Sequence, residues 1–255
     1  MDGVLECFPA SDEQHRVWEA HYGHEDLTTI TKALRAGFEN PRLILGYYPV
    51  ARIMEGLGRR LSTSIELGCG SGAFSLVLKK MGYVERVTLV DYSLASLAAA
   101  RSLFESFDED CELVHASLDN LPFAPKSFDL ALSGGVIEHF RTEKERLECL
   151  EAHLDVASLA LVQAPVASPM YWSSRLAFSA ARGGWPFGYE RPVTMREMKA
   201  LVELAGATIL SRDHQYFASF HMFTRLHRVP RPGWYTWPLQ NEIAILARRG
   251  PEREG

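Results

Sequence analysis

The sequence lacks the features that would direct it to a membrane, to secretion or to a disulfide-bonded fold. No apolar run approaches the roughly 20 residues that a membrane-spanning helix needs, and residues 1–14 lack the basic and apolar stretches of a secretory leader. The chain has only four cysteines, which are widely spaced and form no CxxC pair: Cys7, Cys69, Cys111 and Cys149. This spacing argues against a disulfide framework or a zinc site. We therefore expect a cytoplasmic protein with no membrane partner and no metal.

Positive charge is also scarce. The chain has 27 lysines and arginines against 32 acidic residues, a formal net charge of −5. A protein that binds nucleic acid usually neutralises phosphates with a basic surface. The nearest candidate is one short cluster, which we interpret as a solvated connection before the last strand: Arg225, His227, Arg228 and Arg231. We expect no nucleic-acid partner.

What the sequence does contain, from Thr63 onward, is a regular alternation of short apolar runs and helical stretches. The predicted strands are Thr63–Leu67, Arg86–Asp91, Glu112–Ala116, Phe128–Ser133 and Leu159–Ala164. The helices predicted between them are Ala73–Met81, Leu94–Phe107 and Thr142–Val156. Such alternation indicates crossover units and a mostly parallel, doubly wound sheet of the α/β class.

The regions on either side of this alternation differ in texture. Residues 12–60 are predicted to be mostly helical, whereas residues 166–192 hold aromatic side chains among glycines and prolines. A helix at Thr194–Leu204 and two strands, Thr208–Ser211 and Glu242–Ala247, are predicted to follow. We interpret residues 1–62 as a helical N-terminal extension or lid, 63–255 as the ligand-binding catalytic domain, and 166–192 as a substrate cap inserted after the fifth strand.

The clearest chemical motif is the glycine turn within Ser64–Gly72, with the sequence SIELGCGSG. Glycines let a ligand approach the backbone closely, and free N–H groups at the start of the following helix face that ligand. Asp91 ends the second predicted strand, where its carboxylate can accept both hydroxyl protons of a ribose. A glycine turn with a distant acid indicates a nucleoside-binding site.

Two classes of cofactor are bound by this device. A dinucleotide places its pyrophosphate over the helix N-terminus at a GxGxxG sequence, but the spacing here is GxGxG and Ala73 stands at the third glycine position. Glu66 would repel a pyrophosphate. It would suit the cationic methionine end of S-adenosylmethionine, through water or a backbone relay.

With these residues the sequence resembles the class I S-adenosylmethionine-dependent methyltransferases. Residues 66–72 resemble the family's first motif, and Asp91-Tyr92-Ser93 resembles its ribose-binding acid followed by a residue that packs on adenine. His115–Phe123 with Lys126–Leu130, and then Ser133–Phe140, resemble the segments around the fourth strand. The resemblance covers about residues 63–165 and implies a seven-stranded Rossmann-like sheet with S-adenosylmethionine as cofactor.

The resemblance also implies a set of cofactor-binding residues. These are Glu66, Gly68, Cys69, Gly70, Gly72, Asp91, Tyr92, Ser117, Leu118 and Ser133. Ser117 stands where the family often has an aspartate that contacts the adenine amino group. Recognition of adenine would then depend more on the backbone N–H of Leu118. It also remains open that Ser117 is an ordinary residue at the end of a strand with no contact to the cofactor.

His139 is the candidate catalytic residue, because it follows the fourth strand where the family's cleft opens. Methyl transfer to a good nucleophile needs mainly positioning and exclusion of water, and a general base only where the acceptor must lose a proton of high pKa. A Glu-His pair at this place is often structural in the family, so both roles remain open. Some family members bind a metal here through an additional glutamate, but this chain has Gly135 at that position.

Substrate-binding residues are sought in the lid and in the cap. His21, Tyr22 and His24 form a polar cluster in the N-terminal segment, of which Tyr22 is our candidate contact. Trp185 and Tyr189 are the candidates in the cap, within an aromatic set that also holds Tyr171, Trp172 and Phe187. Aromatic rings can hold a flat or apolar acceptor or an amine cation, although some of these rings are expected only to pack on the sheet. Arg52 is considered for the cofactor carboxylate.

We therefore expect a methyltransferase that acts on a small, largely apolar or aromatic metabolite at oxygen, nitrogen or carbon. A homodimer formed by packing of the aromatic cap across a twofold axis is also considered. The alternatives are a nicotinamide-dependent oxidoreductase and a non-catalytic cofactor-binding scaffold subunit. Glu66 and the lack of a Tyr-x-x-x-Lys pair disfavour the oxidoreductase.

Overall fold

The fold is built on a seven-stranded sheet with helices on both faces. The structure, a computed structural model, describes residues 12–23, 27–216 and 240–250. The strand order is β3-β2-β1-β4-β5-β7-β6. The strands are β1 (Leu61–Leu67), β2 (Val84–Asp91), β3 (Glu112–His115), β4 (Phe128–Gly134), β5 (Ala157–Pro165), β6 (Ala207–Tyr216) and β7 (Gln240–Arg249).

The sheet is parallel except at one edge. β1 to β5 pair in parallel, while β7 pairs antiparallel with β5 and with β6. The chain order reverses between β1 and β4, and ligands of doubly wound sheets bind beyond the carboxyl ends of the strands at such a point. The predicted mostly parallel, seven-stranded, doubly wound α/β sheet is confirmed.

Nine α-helices lie in the described part of the chain. They are α1 (Asp12–Gly23), α2 (Thr28–Glu39), α3 (Pro41–Tyr47), α4 (Pro49–Leu57), α5 (Ala73–Lys80), α6 (Leu94–Glu105), α7 (Glu143–Val156), α8 (Pro169–Arg182) and α9 (Met195–Leu204). Side-chain caps fix several starts: Ser93 accepts from the Ser96 N–H, and Thr142 and Thr194 form capping boxes with Glu145 and Glu197.

Two apolar layers cover the sheet. The layer on one face includes Leu76 and Leu78 of α5 and Leu103 of α6, and that on the other includes Leu150 and Leu154 of α7. β1, β2, β4 and β5 are buried almost throughout their carboxyl-terminal halves, as expected for parallel strands covered on both sides.

The N-terminal extension is helical as predicted, but its parts serve different purposes. Val50, Ile53 and Met54 of α4 are buried in the core, so this helix belongs to the layer that covers the sheet. The first strand begins at Leu61, two residues before the predicted domain boundary. Of the extension, α1 is the segment that packs near the cleft, through contacts with α6.

The segment that follows β5 is less irregular than its composition suggested. Residues 166–192 contain the fourteen-residue helix α8, capped by Ser168, and then a loop that returns to the sheet through the pairing of Val166 with Val193. Cys69, Cys111 and Cys149 are unpaired. In the described residues no helix is long and apolar enough to cross a membrane.

Candidate active site

The glycine turn joins β1 to α5 at the point where the strand order reverses. The Gly68 and Cys69 N–H groups both donate to the Val90 carbonyl, at 2.9 and 3.0 Å, which holds the turn against β2. Gly68 adopts φ +68°, and a Cβ there would lie 2.8 Å from a methyl group of Val136. The turn is thus packed directly against the loop that leaves β4, and a side chain at Gly68 would separate the two.

Asp91 lies at the end of β2, beside this turn. One carboxylate oxygen accepts from the Gly70 N–H at 2.9 Å and the other accepts from the Ser93 N–H at 2.9 Å. Burial raises the pKa of Asp91 to about 6, against the lowering effect of these backbone hydrogen bonds. A carboxylate oxygen has two lone pairs, so each can still accept a ribose hydroxyl proton.

Glu66 is buried beneath the turn. Its carboxylate accepts from the Ser75 N–H at 3.0 Å, in the first turn of α5. Burial raises the pKa of Glu66 to about 7. The contact links the acid to the N-terminus of α5, and a role of Glu66 toward the cofactor remains a prediction.

The residues predicted to surround adenine lie beyond β2 and β3. The Tyr92 ring lies 5.3 Å from the His15 ring of α1. Burial, and then the nearby Asp91 carboxylate, raise the pKa of Tyr92. Ser117 and Leu118 follow β3, whose end is tied to β2 by the Ala116 N–H bond to the Asp91 carbonyl. Tyr92, Ser117 and Leu118 thus follow the carboxyl ends of β2 and β3, at the same edge of the sheet as the glycine turn.

Helix α1, the predicted lid, lies against the glycine turn and the exit from β4. The Tyr22 ring lies so close to the turn that a Cβ on Gly70 would overlap its hydroxyl. The Trp18 ring stacks on Tyr22 at 5.9 Å and on Phe187 of the cap at 6.1 Å, and meets His139 edge-on at 5.2 Å. The lid therefore touches the cofactor turn on one side and the exit from β4 on the other. Tyr22 is nearer the turn than the cap, and its substrate-binding role remains a prediction.

His139 occupies a short 3₁₀ turn, Ile137–His139, that follows β4. Its Nδ1 lies 2.6 Å from the Tyr189 carbonyl oxygen. Because a carbonyl only accepts, Nδ1 carries the proton and the lone pair of the neutral ring is on Nε2. Burial lowers the pKa of His139, against the effect of the Tyr189 carbonyl. A neutral imidazole at the mouth of β4 has the form that a general base needs.

The cap contributes a connected polar and aromatic group. The Trp185 Nε1–H donates to Glu190 at 2.9 Å, and the Tyr171 hydroxyl donates to the other oxygen of Glu190 at 2.6 Å. The Arg175 guanidinium lies 4.8 Å from the centre of the Trp185 ring. The Tyr189 ring faces Arg141 at 4.4 Å, while its carbonyl holds His139.

The structure also shows the surroundings of Ser133 and Arg52. Ser133 is buried near the end of β4, and its hydroxyl has no hydrogen-bond partner among the described residues. Arg52 does not face the cofactor: its Nε donates to Asp213 at 2.6 Å and a terminal nitrogen to the His214 carbonyl at 2.8 Å. The prediction that Arg52 meets the cofactor carboxylate is therefore wrong, because α4 turns this side chain toward β6.

Several residues considered from the sequence lie outside the described part of the chain. These are Cys7, His24, Arg225, His227, Arg228 and Arg231. Within the described residues, no group of three or more histidines, cysteines or acids could hold a metal ion.

Trp18 and Gln163 were not among the candidates that the sequence indicated, and Glu138 was considered only as the acid of the Glu-His pair with His139. Trp18, His21 and Tyr22 are spaced i, i+3 and i+4, which places them on one face of a helix, and this spacing could have identified the lid surface. Nothing in the sequence indicates that Gln163, inside an apolar strand, meets Glu242 of a distant strand.

Comparisons with known proteins agree with this geometry. Residues 65–156 match the family model described as a methyltransferase domain. A search of curated proteins finds no match. Among solved structures, the chain is similar to a magnesium protoporphyrin IX methyltransferase from Synechocystis PCC 6803 with bound SAH, with a TM-score of 0.54 at 16% identity, covering 92% of this chain and 93% of the other.

Two further structures show the same fold. A putative sarcosine dimethylglycine methyltransferase from Galdieria sulphuraria has a TM-score of 0.57 at 12% identity, covering 94% of this chain and 99% of that one. A third structure concerns the conversion of a disulfide bond into a thioacetal group during echinomycin biosynthesis. It has a TM-score of 0.57 at 20% identity, covering 81% of this chain and 83% of that one. The chain therefore carries a methyltransferase domain at residues 65–156, within the fold of the class I S-adenosylmethionine-dependent methyltransferases.

Proposed function

We propose that this protein methylates a small, largely apolar or aromatic metabolite, at oxygen, nitrogen or carbon, with S-adenosylmethionine as methyl donor. The observation that carries the proposal is the aromatic enclosure around the exit from β4. Rings from the lid, the 3₁₀ turn and the cap meet there, since Trp18 contacts both His139 and Phe187. Such a wall suits a flat acceptor of modest size and excludes water from it.

The residues present fit the cofactor. The glycine turn brings backbone groups to the cleft, with Tyr22 of α1 lying against Gly70. Asp91 retains lone pairs for ribose hydroxyls after accepting from Gly70 and Ser93. Tyr92 and Leu118, beyond the ends of β2 and β3, are the residues proposed to flank the adenine ring. When bound, S-adenosylmethionine supplies an activated methyl group on a sulfonium.

The chain's own contribution to the reaction is then positioning, exclusion of water and, at one atom, acceptance of a proton. Trp18 and Phe187 close the cleft, and Ser133 and His139 stand at the end of β4. The Tyr189 carbonyl keeps the proton of His139 on Nδ1, so that Nε2 can take a proton from an acceptor hydroxyl or amine.

The charge of the chain supports a small acceptor rather than nucleic acid, since the formal net charge is −5. The exposed side chains Trp172 and Leu176 on α8, at 51% and 72% relative exposure, support a homodimer that packs through the cap. Light scattering of the purified chain, with Leu176→Glu as the variant expected to be monomeric, tests this part of the proposal.

The test of function has two steps. First, calorimetry with S-adenosylhomocysteine should show binding to the natural chain and about 10- to 100-fold weaker binding to Asp91→Asn, because hydrogen bonds to a charged acceptor contribute about 1.5–3 kcal/mol. Glu85→Gln, at the other end of β2 and in an exposed contact, is the matched control and should bind as the natural chain does.

Second, transfer of a labelled methyl group should be measured with pools of small aromatic metabolites and with protein. A solved structure of the same fold is a [4+2]-cyclase, so binding of the cofactor analogue does not by itself establish transfer. Transfer to protein only would overturn the small-acceptor proposal. Tighter binding of NAD than of S-adenosylhomocysteine would favour the oxidoreductase, and cofactor binding without transfer to any acceptor would favour a scaffold.

A further inference from the structure

Three carboxyl groups meet behind the cap, and we call them the acid cluster: Glu138, Glu190 and Glu242. Glu138 belongs to the 3₁₀ turn after β4, and Glu190 lies in the loop after α8. Glu242 stands in β7 opposite Pro165, the last residue of β5. Three separate parts of the chain thus bring an acid to the carboxyl ends of β4 and β5, beside His139.

The three groups are near enough to repel one another. Burial raises the pKa of Glu138 well above its usual value, and the charges of Glu190 and Glu242 raise it further. Burial also raises the pKa of Glu242 to about 7, and Glu190 adds to that effect. A fold has no structural need to collect like charges in its interior, where they oppose each other's ionisation.

The nearby cations offset the charge of the cluster only in part. Arg146 lies near enough to lower the pKa of Glu138, and its Nη1 has no hydrogen-bond partner among the described residues. Arg146 bonds the carbonyls of Phe140 and Arg191, and Arg175 bonds the Tyr171 hydroxyl and the Glu190 carbonyl. In residues 12–23, 27–216 and 240–250, no ion pair joins either guanidinium to the three carboxylates. When ionised, the cluster exceeds the two guanidinium groups by one negative charge.

Two buried oxygens of this region lack a donor among the described residues. They are Oε2 of Glu138 and Oε1 of Gln163, and each side chain is only 3% exposed. Gln163 donates its amide N–H to Glu242, so its oxygen belongs to the same polar region. A buried oxygen of this kind calls for a partner. The Gln163 oxygen only accepts, and the Glu138 oxygen accepts when its carboxyl group is ionised, so a group that donates to both would satisfy them.

An aromatic wall borders the cluster. Trp185 and Tyr171 donate to the two oxygens of Glu190. The face of Trp185 already lies under the guanidinium of Arg175, at 4.8 Å, so its surroundings favour a positive group. Carboxylates beside aromatic faces form an environment that selects an organic cation.

We propose that the methyl acceptor carries a protonated amine, which the acid cluster and Gln163 bind while an aromatic or apolar body lies against the rings of the cap and lid. The amine supplies the missing donors and the missing positive charge in one group. This inference rests on the proposed function, because it names the class of acceptor. The amine is a recognition group here, and the methylated atom is not specified by it.

The test uses three probes of matched size: phenethylamine as the cation, 2-phenylethanol as the neutral compound and 3-phenylpropionate as the anion. Calorimetry on the full chain saturated with S-adenosylhomocysteine at pH 8 should show the tightest binding for the amine, at least tenfold tighter than for the alcohol, and the weakest for the anion. Glu138→Gln and Glu242→Gln should each weaken phenethylamine about tenfold and leave 2-phenylethanol unchanged.

Glu203→Gln, an exposed position on α9, is the matched control and should alter none of the three affinities. Circular dichroism and S-adenosylhomocysteine binding establish that each variant is folded, and two variants are used so that the loss of one does not end the test. Equal or tighter binding of the alcohol or the anion overturns the inference, as does an absence of amine binding. Failure to bind S-adenosylhomocysteine overturns the proposed function instead.

Discussion

The predicted role of Asp91 as a ribose-binding acid requires a buried charge, which lowers the free energy of unfolding. Its carboxyl group is 5% exposed, and burial raises its pKa from 3.8 to about 6. A carboxyl group whose pKa is raised on folding favours the folded state below its unfolded pKa. It loses that contribution as the pH rises through the folded pKa.

The magnitude follows from the shift. About two pKa units correspond to about 3 kcal/mol of free energy of unfolding, lost between low pH and pH 8. Of this loss, about 2 kcal/mol falls between pH 4.5 and pH 8, by the same linkage relation. Asn at position 91 does not titrate, so Asp91→Asn should gain about 2 kcal/mol relative to the natural chain over this range.

The comparison of Asp91→Asn with the natural chain at different pH values is informative, because contributions to stability that do not depend on pH cancel. Replacement of a carboxylate oxygen by an amide N–H disturbs the bond from Gly70 or from Ser93, but this cost is the same at both pH values. Urea unfolding of both proteins at pH 4.5, 6 and 8, analysed by linear extrapolation, measures the difference directly. The cofactor is left out, so that only the folding equilibrium is observed.

Glu85→Gln, in an exposed position on the same strand, is the control and should show a difference from the natural chain that does not vary with pH. A difference between Asp91→Asn and the natural chain that is constant from pH 4.5 to pH 8 would refute the reasoning. So would a difference that moves against the variant as the pH rises from 4.5 to 8. The first result would mean that folding leaves the pKa of Asp91 unchanged, and the second that the folded protein stabilises its charge. In either case no stability is given up for a ribose-binding acid.

Three further predictions concern the turn, the base and the lid. Gly70→Ala should reduce S-adenosylhomocysteine affinity at least tenfold, because Gly70 has φ +51° and an added Cβ overlaps Tyr22. The control is Gly82→Ala, where φ is +75° and nothing lies within 4 Å of the added Cβ. It shares the backbone strain without the overlap and should lose only about 1 kcal/mol of stability. His139→Gln should lower kcat by about 100-fold if Nε2 accepts the acceptor's proton, with unchanged S-adenosylhomocysteine affinity by calorimetry; an unchanged kcat would assign the residue to positioning. Trp18→Ala removes the ring that joins the lid to the cap and should speed S-adenosylhomocysteine dissociation about tenfold in stopped-flow measurements. Trp172→Ala, at an exposed position on α8, should leave the dissociation rate unchanged. Equal rates for the two variants would show that α1 does not retain the ligand.

The order of the strands and helices could be predicted from the sequence, because each depends on local patterns. Apolar runs such as Thr63–Leu67 and Phe128–Ser133 end where the structure ends β1 and β4, within one residue. The turn between β1 and α5 also depends on local sequence, since Gly68 and Gly70 have positive φ angles that favour glycine. Asp91 was predictable too, because a strand's carboxyl end is visible in its pattern.

The roles of α1 and of the cap depended on contacts between distant parts of the chain. The sequence indicated that Tyr22 belonged to a lid, but only packing showed that Trp18 links the glycine turn to His139 and Phe187. The helix α8 was not predicted within residues 166–192, where aromatic residues, glycines and prolines obscure the helical pattern. Arg52 was misplaced because helical periodicity does not show which neighbour a helix face meets.

Local sequence therefore determined the sheet, the glycine turn and Asp91, since hydrophobic period and glycine conformation act over a few residues. Only the tertiary structure brought Glu138, Glu190 and Glu242 together, from positions up to 104 residues apart in the sequence. Burial then raised the pKa of Glu138 and of Glu242. A carboxyl group has its usual pKa in water, and that pKa rises where folding removes the water, and rises further where folding places another acid beside it.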